Sequence, residues 1–183
     1  MPDYRRAYVA GGTYFFAVTT YLRRPILTDP RCMATLRTAV KAIRQSHPFE
    51  ILAWVVLPDH LHCVWTLPGD DRNFSLRWSL IKRHVSRGCA HWIDDGVPTT
   101  PSRIKRREST LWQRRFWEHL IRDEQDLSRH VDYVHYNPVK HGYVTRAAQW
   151  PHSTFHRYVR EGIYPADWAG GGAVTGESCE FGE

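Results

Sequence analysis

No two of the four cysteines stand near one another. Cys32, Cys63, Cys89 and Cys179 form no CxxC pair, so the chain has neither a thiol redox motif nor a disulfide framework, and a reducing cytoplasmic setting is expected. A closed structural zinc site needs four clustered ligands, and only two potential ligands are clustered. No apolar run nears the ~20 residues of a membrane span. The opening Met1-Pro2-Asp3-Tyr4-Arg5-Arg6 lacks the apolar core of a signal peptide. There is no Walker-type glycine loop for nucleotide phosphates and no internal repeat. From these absences neither a membrane role nor a nucleotide cofactor is expected.

What the chain has is positive charge, rings and histidine. Its 183 residues carry a formal charge of +6, are 13% aromatic and include 11 histidines. That length suits one domain with a sizeable core, read here as 1–168, with a Gly-rich acidic tail over 169–183. A basic, aromatic-rich globular protein is a reasonable nucleic-acid binder.

Periodicity gives the elements. Thr13 to Thr20 is aromatic and β-branched, a strand. Asp29-Pro30 caps a helix over 30–46, with Met33, Leu36, Val40 and Ile43 at helical spacing. The runs Ile51–Leu57 and Leu61–Leu67, joined at Pro58-Asp59, are the next two strands. Ser75 is the expected cap of a second helix, with Leu76, Leu80, Ile81 and Val85 inside and Arg77, Lys82, Arg83 and Arg87 on its surface. Residues 94–110 read as a long loop, and Leu111–Ile121 as a fourth strand. Asp123 caps a last helix that Pro138 is expected to end at Asn137. The order is β-α-β-β-α-β, a ferredoxin-like α+β core with an antiparallel sheet and helices on one face, followed by a further helix. Residues 150–168 are expected to fold back on the core.

Two groups of residues carry chemistry. His60 and His62 share one strand face, their Cα atoms roughly 7 Å apart. Two neutral imidazoles so placed can ligate a divalent cation with positions left open for substrate, although isolated HxH triplets are common without metal. On the last helix, Leu127, Val131 and Val134 form the apolar stripe, and His130, Tyr133 and Asn137 lie together beside it. A tyrosine hydroxyl can be a covalent nucleophile when a metal or base assists it, and an asparagine carbonyl suits a hard metal ion. The same pattern fits a half-buried tyrosine and an asparagine that ends the helix. His130 and His135 read as surface residues or as supports behind the site. Basic segments (Tyr4-Arg5-Arg6, Arg103 with Lys105, Arg106 and Arg107, Arg114-Arg115, and Lys140) are candidate phosphate contacts, and each is equally a solvated face. Tyr4, Tyr8, Trp112 and Trp117 could stack single-stranded bases or belong to the core.

Three stretches carry a resemblance: Trp54-Val55-Val56-Leu57-Pro58-Asp59-His60-Leu61-His62, Leu111-Trp112-Gln113-Arg114-Arg115-Phe116-Trp117-Glu118-His119, and Val131-Asp132-Tyr133-Val134-His135-Tyr136-Asn137-Pro138-Val139-Lys140-His141-Gly142. Over about residues 4–169 the chain resembles the REP-associated tyrosine transposases of the IS200-like, single-tyrosine HUH superfamily. The resemblance implies a ferredoxin-like HUH fold and a Mg²⁺- or Mn²⁺-dependent nuclease and strand transferase for single-stranded DNA carrying a REP-like hairpin. It implies His60, His62 and Asn137 as metal ligands, Tyr133 as nucleophile through a 5′-phosphotyrosine, and Tyr4, Arg5 and Arg6 on the foot of the hairpin. It leaves monomer or homodimer open and places the protein in the cytoplasm, at the nucleoid. The other classes are a non-catalytic hairpin-binding regulator and a metal nuclease that activates water.

Overall fold

Side-chain alternation gives each strand two faces, and in this protein both are covered. In β1 (Thr13–Thr19), Tyr14, Phe16 and Val18 join one hydrophobic cluster, while Phe15 and Ala17 join another. The computed structural model describes residues 7–93 and 96–168. The basic lead-in at Tyr4, Arg5 and Arg6 and the residues from 169 onward lie outside the described residues.

The sheet comprises β1, β2 (Glu50–Val56), β3 (His60–Thr66) and β4 (Trp117–Leu120), in the order β2-β3-β1-β4 with every neighbour antiparallel. This is the ferredoxin-like order expected from the sequence. The histidine strand is interior, with Thr19 opposite His60 and Ala17 opposite His62.

Helices α1 (Pro30–Ser46) and α2 (Phe74–Cys89) cover the face bearing Leu61, Cys63 and Trp65. Asp29 caps α1 by accepting from the Arg31 amide at 2.9 Å. The cap of α2 is Asn73, which accepts from Leu76 N at 3.0 Å, not Ser75. Arg77 is a second correction. It is 1% exposed, and its guanidinium donates to Asp71 and to the Pro48 carbonyl, each at 2.7 Å. A buried arginine needs such acceptors, and the turns flanking α2 supply them.

The expected loop after α2 holds a one-turn helix, α3 (Pro101–Lys105). The expected fourth strand is shorter than its alternation suggested. Trp112 bridges Thr20 and Gln113 N donates to Thr19 O at 2.9 Å, but regular pairing resumes only at Trp117.

Helix α4 (Glu124–Lys140) lies across the opposite face, burying Val131 and Val134 against Phe15, Ala53, Val55 and Val64. It does not stop before Pro138. A proline this near a C-terminus removes one hydrogen bond and leaves the turn intact. The true terminator is Gly142, at φ +71°. There Gly142 N donates to Val139 O and Tyr143 N to Pro138 O, at 2.9 and 3.0 Å, a Schellman cap. The segment carrying α5 (Phe155–Arg160) folds back as expected. Ser153 bridges Val55, and Tyr158 Oη donates to Leu52 O at 3.1 Å, so the edge of β2 is covered.

Candidate active site

The site forms where β3 faces α4. The His60 and His62 rings lie 4.9 Å apart with planes at 81°, and both are buried. Asp59, in the turn before them, accepts from His60 Nδ1 at 2.6 Å. That bond places the proton on Nδ1 and aims the Nε2 lone pair into the site, as a carboxylate behind a metal-ligating histidine does. Burial opposes the charged form of Asp59, but hydrogen bonds from His60 and Arg23 outweigh it and hold the carboxyl below its usual range. Burial pushes the His62 pKa well down, aided by the charges around it, so this imidazole is neutral and able to bind metal.

Tyr133 stands against this pair in the same chain. Its ring is 5.3 Å from that of His62 at 72°, and 5.8 Å from the ring of Phe15. Asn137 follows one turn later on the same stripe and is fully buried. Lys140 reaches back to place Nζ 3.4 Å from Tyr133 Oη, and the His141 ring lies 5.0 Å from that of His60.

His60 Nε2, both His62 nitrogens and both polar atoms of the Asn137 amide are buried without a hydrogen-bond partner. Each such atom costs about 1–3 kcal/mol. Asn137 lies one turn of α4 from Tyr133 and one from His141, whose rings meet those of His62 and His60, and this placement of unsatisfied atoms points to a ligand. Two imidazoles and an amide oxygen suit a divalent cation, so the residues present fit one. The nucleophile candidate sits beside that donor set.

A second group lies nearby. Potential ligand atoms of His119, Asp126 and His130 fall within 4.8 Å of one another and could hold an ion by distance alone. The two imidazoles are stacked at 4.6 Å with planes 15° apart, so their in-plane lone pairs run side by side and do not converge. His119 Nε2 donates to Asp126 Oδ2 at 2.8 Å, and His130 Nδ1 to the Asp126 carbonyl at 2.8 Å. The arrangement clamps β4 to the first turn of α4. His130 and His135 are both buried, so of the two placements expected for them the surface one fails.

The basic residues divide. Arg103 is only 7% exposed. It donates to the Ser109 and Trp112 carbonyls and lies 4.0 Å over the Tyr21 ring, so it shapes the loop and does not face solvent as a phosphate contact would. Lys105, Arg106, Arg107, Arg114, Arg115 and Lys140 are exposed. Arg107 and Arg114, with Lys82, Arg83 and Arg87 of α2, line a groove of about 850 Å³ on the α1/α2 side of the sheet. Trp112 is core, while Tyr8 is 45% exposed. The sequence reading missed Asp59 as the partner of His60, although its adjacency was the available signal. It also missed His141, and the contact of Lys140 with Tyr133.

A family model for IS200-like transposases matches residues 8–137. The chain is 46% identical over 170 residues to the REP-associated tyrosine transposase of Escherichia coli K12, covering 93% of this chain and 92% of that protein. The chain belongs to this family. A relative from Haemophilus influenzae is 44% identical over 175 residues, covering 93% of this chain and 94% of the other. A solved structure of a REP-associated tyrosine transposase bound to a REP hairpin superposes with a TM-score of 0.80 at 46% identity, covering 97% of this chain and 96% of that one. As an IS200-like transposase the chain falls in a family associated with divalent-metal chemistry. Among the described residues no helix is long and apolar enough to cross a membrane.

Proposed function

We propose that this transposase is a divalent-metal-dependent nickase and strand transferase for single-stranded DNA beside a REP-type hairpin. The observation that carries the reading is the buried, partnerless donor set of His60, His62 and Asn137 next to Tyr133 in one chain. His60, His62 and Asn137 would hold Mg²⁺ or Mn²⁺. When bound, such an ion supplies Lewis-acid polarisation of the scissile phosphate. Asp59 fixes the His60 ring for that task. Tyr133 attacks phosphorus in line, its proton passing to water. The P–O3′ bond breaks, and its electron pair leaves on the 3′ oxygen, which takes a proton from water. The products are a 5′-phosphotyrosine and a free 3′-hydroxyl. A 3′-hydroxyl later attacks the adduct and restores a phosphodiester with Tyr133 as leaving group. One phosphate ester replaces another, so the cycle needs no nucleotide.

The relative bound to a REP hairpin supports the same class of partner here, and the groove lined by Arg83, Arg87, Arg107 and Arg114 offers positive charge for its phosphates. The test uses labelled hairpin DNA with a single-stranded flank, Mg²⁺ or Mn²⁺, and denaturing gels. A covalent protein–DNA adduct is expected from the native chain, none with chelator, and none from Tyr133→Phe. Cleavage by Tyr133→Phe at the native rate would replace the mechanism with water activation; hairpin binding with no cleavage would favour a regulator.

A further inference from the structure

We infer that Lys140 is a catalytic residue, the cation that stabilises negative charge on Tyr133 Oη during attack and again when the tyrosine is expelled. The inference rests on the proposed tyrosine chemistry.

The geometry begins with the continuation of α4 through Pro138. Were the helix to end at Asn137, Lys140 would sit in a turn with no fixed relation to Tyr133. Because the helix runs to Lys140, the two residues are seven apart and within about 20° of one face. Helical side chains lean toward the N-terminus, so Lys140 leans back along its own helix onto the tyrosine. Its Nζ is 3.4 Å from Tyr133 Oη and 4.9 Å from the ring centre. The cation–π contact keeps the ammonium by the ring, and the hydrogen bond aims it at the reacting atom. The Schellman cap at Gly142 fixes the turn from which Lys140 projects.

Packing against the neutral His62 ring brings no positive charge to Tyr133 Oη. A fixed ammonium does. As the P–O bond forms, the proton leaving Oη passes to water, and Lys140 donates a hydrogen bond to the oxygen that carries the charge. In resealing, the P–Oη bond breaks and its electron pair returns to Oη, where the same ammonium receives it. Lys140 keeps its own proton throughout, and no redox partner is required.

The competing role for an exposed lysine is a phosphate contact, which strengthens binding without changing the chemical step. The two separate cleanly. Single-turnover cleavage at saturating hairpin DNA and metal is measured for the native chain, Lys140→Met and Lys140→Arg, with DNA affinity followed by fluorescence anisotropy against salt. Lys140→Met is expected to slow cleavage and resealing alike by about 10- to 100-fold, with affinity and salt slope nearly unchanged. Lys140→Arg is expected to recover most of the rate. An unchanged saturating rate in Lys140→Met, with weaker binding and a salt slope smaller by about one, would overturn this inference and leave the tyrosine mechanism standing. Failure of the native chain to form any adduct would overturn both.

Discussion

His135 shows what single residues contribute to the limits of this fold. It is fully buried, held by a hydrogen bond with Thr154 Oγ1 at 2.9 Å, and its pKa is pulled down to about 3 by burial and then by Arg157. The unfolded chain protonates this ring near pH 6.5. Between about 6.5 and 3 the unfolded state therefore binds one more proton than the folded state, and stability falls as pH falls. The expected slope from this residue is about 1.4 kcal/mol per pH unit. Chemical denaturation at several pH values should show it, and His135→Gln should flatten the acid limb by one proton. An unchanged limb would mean that another group sets it. The sequence did not reveal this burial, because a single apolar stripe predicts a helix covered on one side. Helix α4 is covered on two, by the sheet and by the segment around Phe155 and Tyr164. His60, His62 and Tyr133 were readable, since strand alternation and helical spacing depend only on the local backbone.

Among the elements, the crossing of α1 and α2 depends on a glycine. A Cβ placed on Gly88 would lie 2.5 Å from Thr35 Cγ2. Thr35 cannot easily turn away, because its hydroxyl donates to Arg31 O at 2.8 Å. Alanine is about 1 kcal/mol better than glycine inside a helix, whereas forcing a methyl into a packed contact costs about 1–3 kcal/mol. Gly88→Ala should therefore lower the unfolding temperature despite its better propensity. Adding Thr35→Ser, which removes the opposing methyl, should recover more than the two single changes predict when summed. A stabilised Gly88→Ala would show that the helices part freely. The element boundaries that misled have similar tertiary causes. Trp112 to Phe116 alternate as a strand would, yet pair with β1 only near Thr20. Pro138 looked like a terminator while Gly142, four residues on, held the geometry that ends α4.

The whole molecule uses both faces of one sheet. The candidate active site lies on the α4 face, and the basic groove lies on the α1/α2 side. A single DNA that engages both must pass around an edge of the sheet. Contacts in the groove should then set affinity while leaving the chemical step alone. Combined Arg87→Ala and Arg107→Ala should weaken hairpin binding and reduce its log–log salt slope by about two, with cleavage at saturating DNA unchanged; an unaltered slope would remove the groove from the DNA path. The ferredoxin-like order was readable because each element announced its own period, whereas the groove joins segments whose nearness only the fold creates. Two kinds of spacing thus govern the site. About seventy residues separate His62 from Tyr133, and because β3 is part of the sheet and α4 is packed on it, a change in the length of the connecting loops need move neither. The interval from Tyr133 through Asn137 to Lys140 is instead ruled by helical pitch. One inserted residue there would swing the lysine by about 100°, so within this stretch the chain can change its letters but not its length.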